Sequence, residues 1–191
     1  MPDPKTDDAS LDGLAAAARR GDRQALAGLL RGLQDTLWRV CVSQLGDLEQ
    51  AEEAVQETAS RLVSAVGAFA GRSTARTWAI GFALNVCRER RRRRRFADDS
   101  ALVDHPDDRP APDQHAAAVE QADALRRAIS DLPERQREAI TLRYLEQMTV
   151  RQTAEAMACA EGTVKAAIWQ AIRRLRQALP HQPVETQANH P

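Results

Sequence analysis

The chain has 191 residues, enough for one large domain or two small ones, with 28% charged and only 4% aromatic residues. Its formal charge is zero, 27 cations against 27 acids, so non-specific affinity for nucleic acid is expected to be modest and local. Three cysteines, Cys41, Cys87 and Cys159, lie far apart without any C-x-x-C pairing, which speaks against a zinc site or a disulfide framework. They read as small buried residues in a reducing compartment. The opening MPDPKTDD is acidic and polar, unlike a signal peptide, and no apolar run approaches membrane-spanning length. A soluble cytoplasmic protein without cofactor is expected.

Residues 1–10 lack an apolar period and read as a disordered tail. Leu11, Leu14, Ala15 and Ala18 mark a short helix that Gly21-Asp22 breaks, with Asp22 as the next N-cap. Leu26, Leu29, Leu30, Leu33, Leu37, Val40 and Cys41 give one face of a long second helix. Gly46-Asp47 ends it and caps a third, from about Leu48 to Val66. In the third helix Ala51, Ala54, Val55, Thr58, Leu62 and Val66 face inward. Glu52, Glu53, Gln56 and Glu57 gather outside, where the N-terminal end of the dipole favours acids. That acidic face suits either a solvated surface or a docking face for a basic partner.

Gly67 to Thr77 is a small, polar, cationic loop with Phe69 as its anchor. A fourth helix, Trp78 to Arg95, starts apolar nearly all round (Trp78, Ile80, Phe82, Leu84, Val86) and ends in consecutive arginines. Six neighbouring like charges repel one another, so the run either terminates the helix in solvent or meets a polyanion. Residues 96–114 are acidic, Pro-rich and aperiodic, a linker between a first domain at 11–95 and a second at 115–179. From about His115 a helix carries Ala118, Ala122, Leu125, Ile129 and Leu132. Pro133 opens the next, which Ile140, Tyr144 and Leu145 pack inward.

The stretch from Thr149 to Leu179 organises the second domain. Thr149 with Gln152 has capping-box spacing, and Val150, Ala154, Met157 and Ala158 share a face. A turn around Cys159 and Ala160 leads into a helix of roughly 19 residues, about 28 Å long. Its apolar stripe is Val164, Ala167, Ile168, Ala171, Ile172, Leu175 and Leu179. The other side carries Lys165, Trp169, Gln170, Arg173, Arg176 and Gln177, with no acid after Glu161. One buried stripe and one basic face suit a DNA major groove. An αα-hairpin with a solvated face satisfies the same periodicity. The fold class is all-α: two small helical domains joined by an acidic linker, the second a four-helix domain with a helix-turn-helix. Residues 180–191 read as a frayed tail.

Several strings resemble the extracytoplasmic-function (ECF) sigma factors of the bacterial sigma-70 family. DLPERQREAITLRYLEQMTVRQTAEAMACAEGTVKAAI is similar to the family's final region, with Gly162-Thr163-Val164-Lys165 its most recognisable part. RRGDRQAL, EEAVQET and TWAIGFALN are similar to three blocks of its first domain, in the same order. The resemblance implies a factor that binds the β′ and β subunits of core RNA polymerase and directs it to promoter DNA. It implies that Glu53, Gln56 and Glu57 meet the β′ clamp. It also implies that Ser73, Thr74, Ala75 and Arg76 capture an unstacked −10 base above a helix carrying Trp78 and Asn85. Thr163, Lys165, Ala166, Trp169, Gln170 and Arg173 would contact the −35 element. An anti-sigma factor is implied as inhibitor.

Departures limit the transfer. Ala166 and Ala167 stand where the family often has Ser and Arg, Gln170 where a basic residue is common, and the loop before Trp78 lacks a frequent aromatic. Two other readings fit parts of the chain. One is a helix-turn-helix regulator acting without polymerase. The other is an all-α hydrolase using Glu53 and Glu57, which share a helix face at i, i+4. The hydrolase lacks a His in its domain, any metal-ligand spacing, and any nucleophile with a base. No catalytic or metal-binding residue is therefore assigned.

Overall fold

The computed structural model describes residues 4–98 and 124–179, all of whose regular elements are helical. The linker beyond residue 98 and the tail at 180–191, with Ala118 and Ala122, lie outside those residues. Helix α1 spans Pro4–Arg19, α2 Arg23–Leu45, α3 Leu48–Ala65 and α4 Ala75–Asp98. Residues 124–130 belong to α5, followed by α6 (Glu134–Ile140), α7 (Val150–Met157) and α8 (Glu161–Ala178).

Caps written in the sequence set most boundaries. The Asp22 carboxylate accepts from the backbone N–H groups of Gln24 and Ala25 at 2.8 and 3.0 Å. Gly46 ends α2 at φ 73°, a left-handed turn that costs glycine little, and the Asp47 carboxylate accepts from the Gln50 N–H at 2.9 Å to start α3. Thr149 and Gln152 form the full capping box of α7, and Ala158 closes it at φ 51°.

Four expectations need correction. Helix α1 starts at Pro4, so residues 4–10 are helical rather than an irregular tail. Proline is tolerated in a first turn, where its missing N–H would have no partner. Helix α4 begins at Ala75 rather than Trp78 because the Thr74 hydroxyl accepts from the Thr77 N–H at 3.1 Å. Tyr144 and Leu145 do not pack inward. They are 54% and 51% exposed, because a π-helical turn over Thr141–Leu145 rotates them outward and carries Leu142 and Glu146 into the interior. Leu125, also expected inside, is exposed.

The core runs through both halves of the chain. Leu29, Leu33, Leu37, Leu62, Ile80 and Leu84 belong to the same buried cluster as Leu142, Met148, Met157 and Val164. Helix α7 packs on α4 at Gly81, where a Cβ would lie in ordinary contact, 3.4 Å from the Ala156 carbonyl oxygen. A smaller cluster of Ile129, Leu132, Ile140 and Ala171 holds α8 on α5 and α6. Cys41 and Cys87 are free and buried at the contact of α2 with α4. Hydrogen bonding to Cys41, then burial, pushes the Cys87 thiol well up, so it stays protonated.

Candidate functional site

Three surfaces gather the candidate residues. On α3, Glu53 and Gln56 are exposed and Glu57 is half-buried on one face. This face is not a bare acidic patch. Arg90 reaches back from α4 to Glu53 at 2.6 Å and to Glu57 at 3.0 Å, and Arg61 donates to Glu57 at 2.6 Å. Burial opposes ionisation of Glu57, but the bonds from Arg61 and Arg90 outweigh it and hold its carboxyl below the ordinary value. Arg61 also pairs with Glu89, whose carboxyl it holds low. Part of the arginine run therefore has an internal use. Arg90 pairs with Glu53 and Glu57 of α3, and Arg91 donates to the Gln44 carbonyl at 2.8 Å. Arg92, Arg93 and Arg95 are exposed.

The second surface surrounds the start and middle of α4. Ser73 and Thr74 lie in the loop, while Ala75 and Arg76 form the first helical turn. The Ala75 N–H donates to Asp12 at 2.6 Å, which ties this turn to α1. Trp78 packs between Phe69 and Phe82, tilted against one and edge-on to the other, with ring centroids 5.2 and 5.0 Å away. It therefore anchors the loop from beneath. Asn85 is exposed one side along, accepts from Arg88 at 3.0 Å, and lines a groove of about 640 Å³ with Ser60, Arg61, Phe82 and Arg92. Arg76 does not face this groove freely. Its guanidinium donates to Glu146, at 2.6 Å to the carboxylate and 3.0 Å to the carbonyl.

The third surface is α8. Val164, Ala167 and Ala171 are buried, which leaves Thr163, Lys165, Ala166, Trp169, Gln170 and Arg173 exposed together. Trp169 is 64% exposed with the Arg173 guanidinium 5.8 Å above its ring. The Gln170 carbonyl oxygen accepts from Gln136 at 3.0 Å, fixing the direction of its amide.

Sequence reasoning missed the polar contacts between the two halves. Arg39 holds the Glu146 carboxylate at 2.8 and 3.0 Å, and Arg88 holds Glu138 at 2.6 and 2.8 Å. Thr141 meets Ser43 at 2.6 Å and Gln44 at 3.1 Å. Arg137 is buried and donates to the carbonyls of Ser130 and Leu132 and to the Gln44 side chain. Burial lowers its pKa to about 10. No local pattern marks these positions, since each bonds to a residue or backbone group it cannot foretell in sequence.

The Sigma-70 region 2 family matches residues 29–97, and Sigma-70, region 4, matches residues 122–175. The ECF RNA polymerase sigma factor SigC of Mycobacterium tuberculosis is 30% identical over 174 residues, 91% of either chain. This chain is an ECF sigma factor of the sigma-70 family. As such it is a transcription initiation factor that binds core RNA polymerase and directs it to promoter DNA. The sigma factor RpoE of Bartonella quintana, solved with the anti-sigma factor NepR, is similar at TM-score 0.64 and 25% identity. That match covers 76% of this sigma factor and 91% of RpoE. CnrH, solved with the cytosolic domain of CnrY, shares the fold at TM-score 0.67 and 21% identity, covering 88% and 96% of the two chains. Among the described residues of this sigma factor, no helix is long and apolar enough to cross a membrane.

Proposed function

We propose that the sigma factor divides its work between residues 11–95, which hold core polymerase and the opened −10 strand, and residues 115–179, which read the −35 duplex. The observation that carries this reading is the disposition of α8. Its apolar stripe is docked, and six polar, aromatic or small residues on its other side are left to solvent. Lys165 and Arg173 hold phosphates, and Gln170, oriented by Gln136, reads an adenine edge. Glu53, Gln56 and Glu57 meet basic side chains of the β′ clamp. Ser73 and Thr74 offer small polar edges to an unstacked base above the Trp78 anchor, and Asn85 stands about 16 Å farther along α4, in the groove with Arg88.

The protein works as a non-enzymatic factor in the cytoplasm. The inhibitory partner of the Bartonella RpoE supports an anti-sigma factor here as well. A helix-turn-helix regulator independent of polymerase would have no use for the α3 face. Transcription reconstituted with core polymerase on a randomised promoter library tests the assignment. Selected promoters should share two elements, and the upstream one should change with Gln170→Ala. An unchanged upstream element removes Gln170 from the readout.

A further inference from the structure

Three ion pairs join the two halves among the described residues, and all three have the same polarity. The first half supplies arginines, Arg39 from α2 and Arg76 and Arg88 from α4. The second supplies the carboxylates, Glu146 and Glu138, whose side chains are 0% and 2% exposed. Arg39 and Arg88 grip theirs in two-pronged fashion. That fork fits a phosphate as well as a carboxylate. Arg76 and Arg88 stand about 18 Å apart along α4, at 1.5 Å per residue. Arg88 also borders the α3–α4 groove beside Asn85. Once the halves part, the three guanidinium groups lose their counter-charges and leave a cationic strip along the first domain.

We propose that Arg39, Arg76 and Arg88 form a phosphate-binding strip for single-stranded promoter DNA, and that Glu146 and Glu138 occupy it as internal phosphate mimics while the two halves are closed. The inference extends the reading that α4 carries the −10 contacts. It adds Arg39 and Arg88 to the DNA surface and gives the closed arrangement a function. The second domain competes with nucleic acid for the same cations, so the free sigma factor holds single strands weakly. Opening supplies the strip, while the recognition face of α8 is already exposed in the closed arrangement. Gly81 offers an uncharged place to part the halves, because the α7 backbone would touch a Cβ there and leaves no room for a longer side chain pointing the same way.

The test uses the full chain and a fluorescein-labelled single-stranded 20-mer of mixed sequence, read by anisotropy. Small-angle scattering and helical content are recorded on the same samples. The E138Q/E146Q variant should expand and bind the strand about tenfold more tightly, with a salt slope steeper by about two, as three new phosphate contacts on a single strand require. The G81L variant, which wedges α7 off α4 and leaves all five charged groups in place, should move the same way. Adding R39A, R76A and R88A to E138Q/E146Q should return the affinity to the starting value without closing the molecule. An expanded variant whose strand affinity is unchanged overturns the strip. Two variants that stay compact overturn the latch. Association of wild type with core polymerase, measured in parallel, tests the polymerase assignment separately: its loss would strike that reading and leave the strand measurements standing.

Discussion

Replacing Glu146 by alanine should turn one cooperative unfolding transition into two. The carboxylate is fully buried and accepts three hydrogen bonds from Arg39 and Arg76, one of them at 2.6 Å. Removing one partner of a buried ion pair costs about 3–5 kcal/mol, because the remaining charge is stranded. Here the lower end applies. Arg39 is half exposed and can turn to water, whereas Arg76 is largely covered. A loss of about 3 kcal/mol in a protein of this length corresponds to roughly 6–12 °C. It falls on the contact between the halves rather than on either helix set. Calorimetry of wild type should show a single transition, as a core shared by Leu33 and Met157 implies. The variant should show an early transition for the second half and a later one for the first. A single transition within about 2 °C of wild type would show that Glu146 is not what couples them.

Lys165→Ala should weaken −35 binding about equally across sequences and reduce the salt slope by about one, measured by competition at several salt concentrations. Gln170→Ala, or Gln136→Ala acting through it, should relax preference at one base pair, by about 1–3 kcal/mol in a binding selection, while leaving the salt slope unchanged. Acid should loosen α3 from α4. The carboxyls of Glu57 and Glu89 lie below their ordinary values when folded, so their stabilisation is complete above the unfolded pKa, about 4.3. It is lost as pH falls through the depressed folded values. A urea midpoint that is flat between pH 7 and 5 and drops below 4 is expected, and the Arg61→Ala variant should lose part of that drop.

Local signals were legible in the sequence because they act over short distances. Asp22, Asp47 and Thr149 each cap the helix their spacing announces, and the apolar stripe of α8 packs as its period requires. The stretch after α6 defeated the same logic. A 3.6-residue period sends Ile140, Tyr144 and Leu145 to one side, but the π turn inserts an extra residue and puts Glu146 where a hydrophobe was expected. The partners of the arginine run were equally hidden. Arg88 and Arg90 look alike in sequence, yet one binds Glu138 of the second half and the other Glu53 and Glu57 of α3. Of the candidate sites, the α8 surface was the most readable, since periodicity alone exposes it. Arg76 was the least, because its partner is 70 residues away.

The most direct measurement of the whole account is association with core RNA polymerase followed by transcription. Purified chain mixed with core enzyme should co-elute as a stable complex and start transcripts at defined promoter positions, and Glu53→Lys with Glu57→Lys should abolish both. A chain that binds promoter DNA but never joins the core enzyme, or a charge-reversed variant that joins it unimpaired, would contradict the account.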